Sequence, residues 1–390
     1  MKRFIVLSLT AALAMAAPVA ADTITPQAAI ARLFTSDKID SDWFAPSVLQ
    51  QVPVAQVQIV IDQLKAQLGA YQEVRPDGDH FDTVFATGYA PTFIALDGQG
   101  RILSLFFKPP LPTTKDLSGA LDQMRTLPGK ISVFIENGST PVQGIAADQP
   151  LAIGSAFKLA EVAAVKKQID AHRVSWTQIV TLRNQWKSLP SGVLQSWPDG
   201  APLTLYSVAA LAVSQSDNTG ADLLLRTVGR SAVEAESPSN TPFLTTREAF
   251  VLKDPANSAL LAKWRAANAS ARNALLAQLD SKPLPSADIF GGKVTAQDVE
   301  WFFSTRQLCA LMSRVASLPF MSINPGIADP SQWSRVAYKG GSEPGVLNLT
   351  TQVVAKNGKT YCLSATWNDT KPLDEKRFEL LYGLLLNSLE

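Results

Sequence analysis

Ser155 and Lys158 are three residues apart at the start of a predicted helix, a spacing that places both side chains on one helical face. A serine hydroxyl is a weak nucleophile unless a neighbouring base removes its proton. A lysine amine can act as that base when burial or nearby cations lower its pKa from about 10.4. The pair therefore indicates nucleophilic catalysis by Ser155. A helix N-cap at Ser155 and a solvated side chain at Lys158 are the alternatives.

Two later stretches contain residues that would complete such a site. Ser216-Asp217-Asn218 precedes a predicted helix, and Lys339-Gly340-Gly341-Ser342 ends a predicted strand. Taken singly, the first is compatible with an ordinary polar turn and the second with a strand end that carries a glycine bulge. Together with Ser155 and Lys158 they approximate the ordered set S-x-x-K, S-D-N and K-T-G. The ordered combination favours an active site.

Composition and charge exclude several other functions. The 390 residues are 46% hydrophobic, which gives room for two domains, and the net charge is +1 with no long charged run. This balance gives no reason to expect nucleic acid or an anionic membrane surface as partner. His80 falls in a predicted hairpin turn, and His172 lies roughly four to five helical turns beyond Ser155. A Ser-His-Asp triad and a histidine-based zinc site are therefore excluded, and no metal or cofactor is predicted.

Residues 1–21 have the features of a signal peptide. Lys2 and Arg3 precede an apolar run from Phe4 to Ala17, and small residues end the segment at Ala21. No cysteine lies nearby to carry a lipid, so we expect cleavage after Ala21 and no stable membrane anchor. The predicted location is periplasmic or secreted.

Export would permit a disulfide between Cys309 and Cys362, the only two cysteines in the chain. The sequence does not show whether their Cα atoms lie within bridging distance. Two buried thiols that behave as small apolar side chains are an equal alternative.

The hydrophobic pattern predicts an α+β chain with a boundary at Pro109-Pro110-Leu111-Pro112. Residues 22–111 read as two helices followed by antiparallel strands, a small α+β domain with a scaffold or substrate-rim role. Residues 112–390 read as a helix, two strands, a helical block, three strands and a helix. This order predicts one antiparallel sheet assembled from both ends around a helical insertion. Tandem helices are predicted over residues 295–303 and 305–316.

With these motifs in this order, residues 112–390 resemble the serine β-lactamase and penicillin-binding protein superfamily, closest to class A. The extra N-terminal domain resembles a subgroup of secreted class A-like serine hydrolases that includes a clavulanic acid cluster protein. The resemblance implies a β-lactamase/transpeptidase-like fold and a small-molecule substrate.

The resemblance also implies a role for each motif residue. Ser155 is the acylated nucleophile, Lys158 its base or proton relay, Ser216 the donor to the leaving atom, and Lys339 the positive charge above that hydroxyl. The substrate-binding residues that it implies are Asn218, Gly341 and Ser342. The backbone N–H groups of Ser155 and Ser342 would form the oxyanion hole.

Two departures from the family pattern bear on turnover. Class A enzymes use a glutamate in an E-x-x-x-N loop to activate the deacylating water, and Glu236 and Glu248 are the candidates here. Glu236 is interpreted more readily as a solvated loop residue, and Glu248 as part of the capping box Thr245-Thr246-Arg247-Glu248. Gly340 stands where many relatives carry a hydroxyl, which removes one hydrogen bond to a substrate carboxylate.

The sequence therefore predicts an exported serine hydrolase that forms an acyl-enzyme at Ser155, with β-lactamase-type hydrolysis as the best single label. An esterase or a D-alanyl peptidase of the same fold is one alternative. A non-turnover β-lactam-binding or sensor protein is the other. The sequence names neither the substrate nor the oligomeric state.

Overall fold

The computed structural model describes residues 24–108, 110–112 and 117–389, so the predicted signal peptide lies outside the described residues. The chain divides into two compact units, the first ending at Leu111 and the second beginning at Pro112. Within the described ranges, no helix combines the length and the apolar character needed to cross a bilayer.

The first unit has helices followed by strands, as the hydrophobic pattern predicts. Its helices are α1 (Pro26–Thr35), α2 (Pro46–Leu49) and α3 (Val54–Leu68). Its strands are β1 (Tyr71–Asp77), β2 (His80–Phe85), β3 (Gly88–Leu96) and β4 (Ile102–Phe107), and a two-residue strand, β5 (Leu111–Pro112), lies at the junction of the units. Thr25 caps α1 by accepting a hydrogen bond from Ala28 N, and Pro26 occupies the first turn. The strands β1 to β4 pair antiparallel in chain order.

The second unit is built on an antiparallel sheet with strand order β12-β13-β14-β6-β7. The strands of this unit are β6 (Lys130–Asn137), β7 (Thr140–Ile145), β8 (Leu151–Ala152), β9 (Ile179–Thr181), β10 (Pro202–Thr204), β11 (Phe302–Phe303), β12 (Arg335–Glu343), β13 (Val346–Val354) and β14 (Thr360–Asn368). The register of β14 on β6 sets Leu363 opposite Ile135, so strands from both ends of the unit meet at the middle of the sheet. The predicted α+β class and the sheet assembled from both ends are confirmed.

Helices cover both faces of this sheet. They are α4 (Leu117–Arg125), α5 (Lys158–Asp170), α6 (Leu205–Ser214), α7 (Asn218–Val228), α8 (Arg230–Glu234), α9 (Thr246–Lys253), α10 (Ser258–Ala266), α11 (Ala269–Asp280), α12 (Thr305–Val315) and α13 (Glu375–Asn387). Successive side chains of β6 point to opposite faces of the sheet and so belong to two cores. In the first core, Val133 and Ile135 pack with α4 and α13. In the second core, Phe134 packs with α5 and α12. The second core positions the helices that carry the predicted site.

The helix predicted over residues 295–303 is wrong. Phe302–Phe303 forms strand β11, which pairs antiparallel with Leu151–Ala152 immediately before the Ser155 segment. Ala296 has a φ of 44°, which is incompatible with a regular right-handed helix. Pairing with a strand remote in sequence therefore overrides the local helical pattern. The second tandem helix is confirmed as α12, and Ser304 and Gln307 form its capping box.

Cys309 and Cys362 form a disulfide, which decides between the two alternatives that the sequence leaves open. Cys309 lies on α12 and Cys362 on β14, with their Cα atoms 5.8 Å apart. The bond therefore joins the helix to the middle of the sheet across a chain separation of 53 residues.

Candidate active site

Ser155 lies in a one-turn 3-10 helix, Gly154–Phe157, between β8 and α5. Strand β12 passes so close to this turn that a Cβ atom at Gly341 would lie 2.2 Å from the Ile153 carbonyl oxygen and 2.4 Å from the Ser155 nitrogen. Only glycine permits that approach. A Cβ atom at Gly154 would in turn lie 3.1 Å from the Ser342 nitrogen. The two N–H groups predicted to form the oxyanion hole therefore belong to backbone segments in direct contact.

Lys158 begins α5 and is fully buried. Its Nζ lies 3.0 Å from Ser155 Oγ, 2.6 Å from the Ser216 carbonyl oxygen and 2.7 Å from Asn218 Oδ1. The carbonyl and the amide oxygen can only accept hydrogen bonds. A neutral amine has two N–H bonds and one lone pair, so donation to these two oxygens leaves the lone pair for the Ser155 hydroxyl. This arrangement suits proton removal from Ser155.

Electrostatics supports the neutral form of this amine. Burial lowers the pKa of Lys158 to about 8, although the carboxyl groups of Glu161, Asp222 and Asp217 act in the opposite direction. Burial also lowers the pKa of Lys339, and the charge of Lys158 lowers it further. The two amines limit each other's protonation because both lie in the same buried site.

Ser216 stands between these two lysines. Its Oγ lies 3.2 Å from Lys158 Nζ and 3.1 Å from Lys339 Nζ, and its backbone φ is 54°, in the left-handed region. A serine in this region is uncommon and has to be held by its surroundings. Ser216 can therefore pass a proton between either amine and a group bound in front of it.

Asp217 holds the Ser216 loop in place. Its carboxylate caps α7 by accepting from Gly220 N at 2.8 Å. It also accepts from the backbone nitrogens of Val193 and Leu194, at 2.7 and 2.9 Å. The cap and the two loop contacts fix the backbone that presents Ser216 and Asn218.

A cavity of about 540 Å³ contains the predicted site in its wall. The predicted catalytic and substrate-binding residues that line it are Ser155, Ser216, Asn218, Lys339, Gly341 and Ser342. Lys158 lies beneath this wall in contact with Ser155, Ser216 and Asn218. The three stretches, far apart in the chain, are thus brought to one place, and their roles stay predictions.

Neither candidate deacylation glutamate, Glu236 or Glu248, is among the described residues that line the cavity. Glu248 forms the reciprocal capping box with Thr245, and its carboxylate accepts from Arg230 Nη2 at 2.7 Å. The capping-box prediction is confirmed, because this fully buried side chain is fully used by the helix start and by Arg230.

The prediction that Glu236 is a solvated loop residue is wrong. Its side chain is 5% exposed and forms ion pairs with Lys167 and Arg314. Burial acts to raise the pKa of Glu236, but the hydrogen bonds from Arg314 and Lys167 lower it overall. The carboxylate therefore joins α5 to α12 and does not reach Ser155.

The cavity-facing side of α9 contains residues that the motif analysis does not single out. Thr246, Ala249, Phe250 and Lys253 line the cavity, at the spacing of one helical face. The Thr246 hydroxyl lies 2.8 Å from Asp222 Oδ1 and 2.7 Å from Ser188 Oγ. The same i, i+3, i+4, i+7 spacing, counted from Thr246, the residue after the helix cap Thr245, was the available sequence signal for this face.

A buried ion cluster lies along the same helix face. Lys253 contacts the carboxylates of Glu300 and Glu343, and Glu343 follows Ser342 in the cavity wall. Burial acts to lower the pKa of Lys253, but the two carboxylates raise it, so the amine stays charged. The Glu343 carboxylate is therefore held to α9 by Lys253.

Gly340 faces an aromatic side chain. A Cβ atom at this position would lie 2.1 Å from the Tyr338 hydroxyl oxygen, so Tyr338 fills the space that a side chain at position 340 would need. Burial raises the pKa of Tyr338, and its hydroxyl stays protonated. The site therefore has a phenol near the place where many relatives carry a residue-340 hydroxyl.

Within the described part of the chain, two groups of ligand-type side chains come close enough together to contact one ion. One consists of Asp77, His80 and Asp82 in the first unit. The other combines Glu136 with Cys309 and Cys362, whose sulfurs are already bonded to each other. Neither group includes a residue that lines the cavity around Ser155.

Comparison with known proteins gives a family match and several similar structures. Residues 114–247 match the model of the beta-lactamase enzyme family. A β-lactamase from Sphaerobacter thermophilus is 20% identical, with 70% of this chain and 95% of that chain covered and a TM-score of 0.49. The structure of PBP-A is 15% identical, with 69% and 93% covered and a TM-score of 0.48. An ancestral class A β-lactamase is 14% identical, with 70% and 98% covered and a TM-score of 0.49. No curated protein matches the chain.

Proposed function

We propose that the protein is an exported serine hydrolase of the serine β-lactamase and penicillin-binding protein-like superfamily and that it forms an acyl-enzyme at Ser155. The substrate is a β-lactam or a related ester or amide, and β-lactamase-type hydrolysis is the best single label. The observation that carries the proposal is the position of Lys158, whose amine lies 3.0 Å from Ser155 Oγ while two acceptor oxygens occupy its N–H bonds.

Acylation begins when Lys158 takes the proton of the Ser155 hydroxyl and Ser155 Oγ attacks the carbonyl carbon of the substrate. The negative charge that develops on the carbonyl oxygen is stabilised by the backbone N–H groups of Ser155 and Ser342. Lys158 then passes the proton to Ser216 Oγ, 3.2 Å from its Nζ, and Ser216 delivers it to the leaving nitrogen or oxygen. Collapse of the intermediate leaves the acyl group on Ser155.

Substrate binding depends on hydrogen-bond donors of the third motif. Lys339 and Ser342 stand on the strand that borders the nucleophile turn, and a carboxylate on the substrate gains from the amine of Lys339 and the Ser342 hydroxyl. Asn218 lines the same cavity, and its amide bonds Lys158 and the Leu189 carbonyl oxygen. These contacts orient the scissile carbonyl over the oxyanion hole.

The second candidate is a protein that β-lactams acylate but that releases the acyl group slowly. This candidate covers the non-turnover β-lactam-binding or sensor protein, the D-alanyl peptidase and the esterase. The observation that favours it is the use of Glu248 in a capping box and of Glu236 in ion pairs outside the cavity. If neither Glu236 nor Glu248 activates water, hydrolysis of a β-lactam adduct needs another group to do so.

The test is intact-protein mass spectrometry of the mature protein mixed with a penicillin or a cephalosporin for seconds to hours. An adduct that maps to Ser155 and disappears as drug is consumed supports hydrolysis, and a lasting adduct supports the second candidate. Ser155→Ala must abolish the adduct. Ser191→Ala, which removes another serine hydroxyl from the same cavity wall, must retain it. If neither drug leaves an adduct and neither is consumed, the β-lactam proposal is refuted.

Export is tested separately by N-terminal sequencing of the protein recovered from the periplasmic or culture fraction. We expect the mature chain to begin at Asp22. A chain that keeps Met1 and stays in the cytoplasm would contradict export and leave the chemistry at Ser155 unaffected.

A further inference from the structure

The N-terminal turn of α9 places Thr246 in the cavity wall and a buried carboxyl group behind it. Thr246 lines the same cavity as Ser155, and its Oγ1 lies 2.8 Å from Oδ1 of Asp222 on α7. Asp222 is fully buried and also accepts from the backbone nitrogens of Thr246 and Arg247, at 2.6 and 3.0 Å. All three donors are uncharged, so they orient the carboxyl group without neutralising it.

The surroundings of Asp222 make its ionisation sensitive to pH near neutrality. Burial raises the pKa of Asp222 to about 7, although the hydrogen bonds from Arg247 and Thr246 oppose this, and the carboxylate of Glu248 raises it further. Lys158 and Glu161 face it from α5, and Arg247 and Glu248 face it from α9. A base with a pKa near the working pH is effective in proton transfer.

This inference rests on the acyl-enzyme proposed above. We propose that Thr246 Oγ1 binds the deacylating water. Asp222 then receives a proton of this water through the Thr246 hydroxyl. This pair takes the place of the glutamate that the family pattern predicts. Thr246 contacts the reacting water and is a catalytic residue, whereas Asp222 acts through Thr246 and is a positioning residue.

The step balances in protons and electrons. The water oxygen forms a bond to the acyl carbon, and one water proton moves to Thr246 Oγ1 while the Thr246 hydroxyl proton moves to Asp222 Oδ1. The carbonyl π electrons move to the oxyanion. When the carbonyl re-forms, Ser155 Oγ leaves with the electron pair of its C–O bond and takes the second water proton through Lys158, 3.0 Å away. The product leaves as a carboxylate, and Asp222 releases the first proton to solvent.

The other acid–base groups on this helix are engaged elsewhere. Lys253 is held by Glu300 and Glu343, and Glu248 caps the helix on a different face. Thr246 is the first residue of α9, where the helix comes to the wall that also contains Ser155 and Asn218. Thr246 is therefore the α9 residue that combines a place in the cavity wall with a proton acceptor behind its hydroxyl.

The experiment measures adduct formation and adduct decay separately, by mass spectrometry with penicillin G. We expect Thr246→Val to be acylated at the parent rate within about threefold, while decay of the adduct slows by about 100-fold. Thr246→Ser, which keeps the hydroxyl, restores decay to within about tenfold of the parent rate. Asp222→Asn slows decay as Thr246→Val does, provided that its thermal unfolding stays cooperative.

A pH profile separates this relay from a structural role. Because the relay needs the Asp222 carboxylate, decay in the parent protein falls about tenfold for each pH unit below about 7, and this dependence disappears in Thr246→Val. The matched control is Thr295→Val, which removes another threonine hydroxyl from the cavity wall, one that bonds the Lys293 carbonyl oxygen, and which should retain the parent decay rate and pH profile.

Parent-like decay in Thr246→Val would overturn the inference, as would a pH profile that Thr246→Val retains. These results leave the acyl-enzyme intact. If the parent protein forms no adduct at Ser155, the proposed function fails first and the inference fails with it. The two failures are thus distinguished by the parent protein alone.

Discussion

The buried amine of Lys158 predicts how the rate of acylation depends on pH. Only the neutral amine can take the Ser155 proton, so acylation must rise with pH until the amine is mostly deprotonated. Burial places the pKa of Lys158 at about 8, so we expect the rate to level off above about pH 8. The perturbation to test is Lys158→Met, which keeps an unbranched buried side chain and removes the base.

The magnitude follows from the fraction of neutral amine. With a pKa of about 8, about 9% of the amine is neutral at pH 7 and about half at pH 8. An unperturbed lysine with a pKa of about 10.4 would be about 0.04% neutral at pH 7. Burial thus increases the reactive fraction by about 200-fold. Loss of the base should slow acylation by about 10²- to 10⁴-fold and abolish the rise with pH.

The assay is stopped-flow measurement of the second-order rate of acylation by a chromogenic cephalosporin between pH 5.5 and 9.5. Lys293→Met serves as the control, because it makes the same substitution at an exposed lysine of the cavity wall. It should retain both the rate and the pH dependence of the parent protein. A parent profile that is flat across this range, or that still rises steeply above pH 9, would refute the assignment of Lys158 as a base activated by burial.

Three further predictions concern stability and the shape of the site. Glu248→Ala, measured by urea unfolding, should lower the free energy of unfolding by about 3 kcal/mol because it breaks a buried ion pair and a capping box; an unchanged midpoint would contradict that reading. Replacing both Cys309 and Cys362 by alanine should lower the free energy of unfolding by about 4 kcal/mol at most, as expected for a chain loop closed over 53 residues; a loss below about 1 kcal/mol would contradict stabilisation by loop closure. Gly340→Ala places a Cβ atom 2.1 Å from the Tyr338 hydroxyl and should lower stability by about 1–3 kcal/mol, and addition of Tyr338→Ala should recover part of that loss.

The motifs and the sheet were predictable from sequence because the signals that specify them are local. Ser155 and Lys158 share one turn, and alternation of apolar residues marks β6 and β14 without reference to their partners. Glu248 was identified as a helix cap because a capping box needs only four consecutive residues.

The sequence interpretation failed where a distant residue decides the structure. Glu236 lies in a polar stretch, but its ion-pair partners Lys167 and Arg314 are 69 and 78 residues away in the sequence. No local sequence pattern predicts these ion pairs. Phe302–Phe303 becomes a strand because Leu151–Ala152 is there to pair with it. The cavity wall formed by α9 also depends on how the helix packs, so Thr246 could not be distinguished from other threonines.

The strand order of the second unit has a consequence for how this protein acquires its structure. Strand β6 is made early, but its neighbour β14 is the last strand of the chain, and Tyr361 pairs with Asn137. Closing so long a loop costs conformational entropy before the pairing yields any stabilisation, so a central sheet of this kind forms slowly. Until β14 emerges, the edge of β6 that it will cover is open to other strands. A nascent chain would therefore stay dependent on chaperones until strand β14 has emerged.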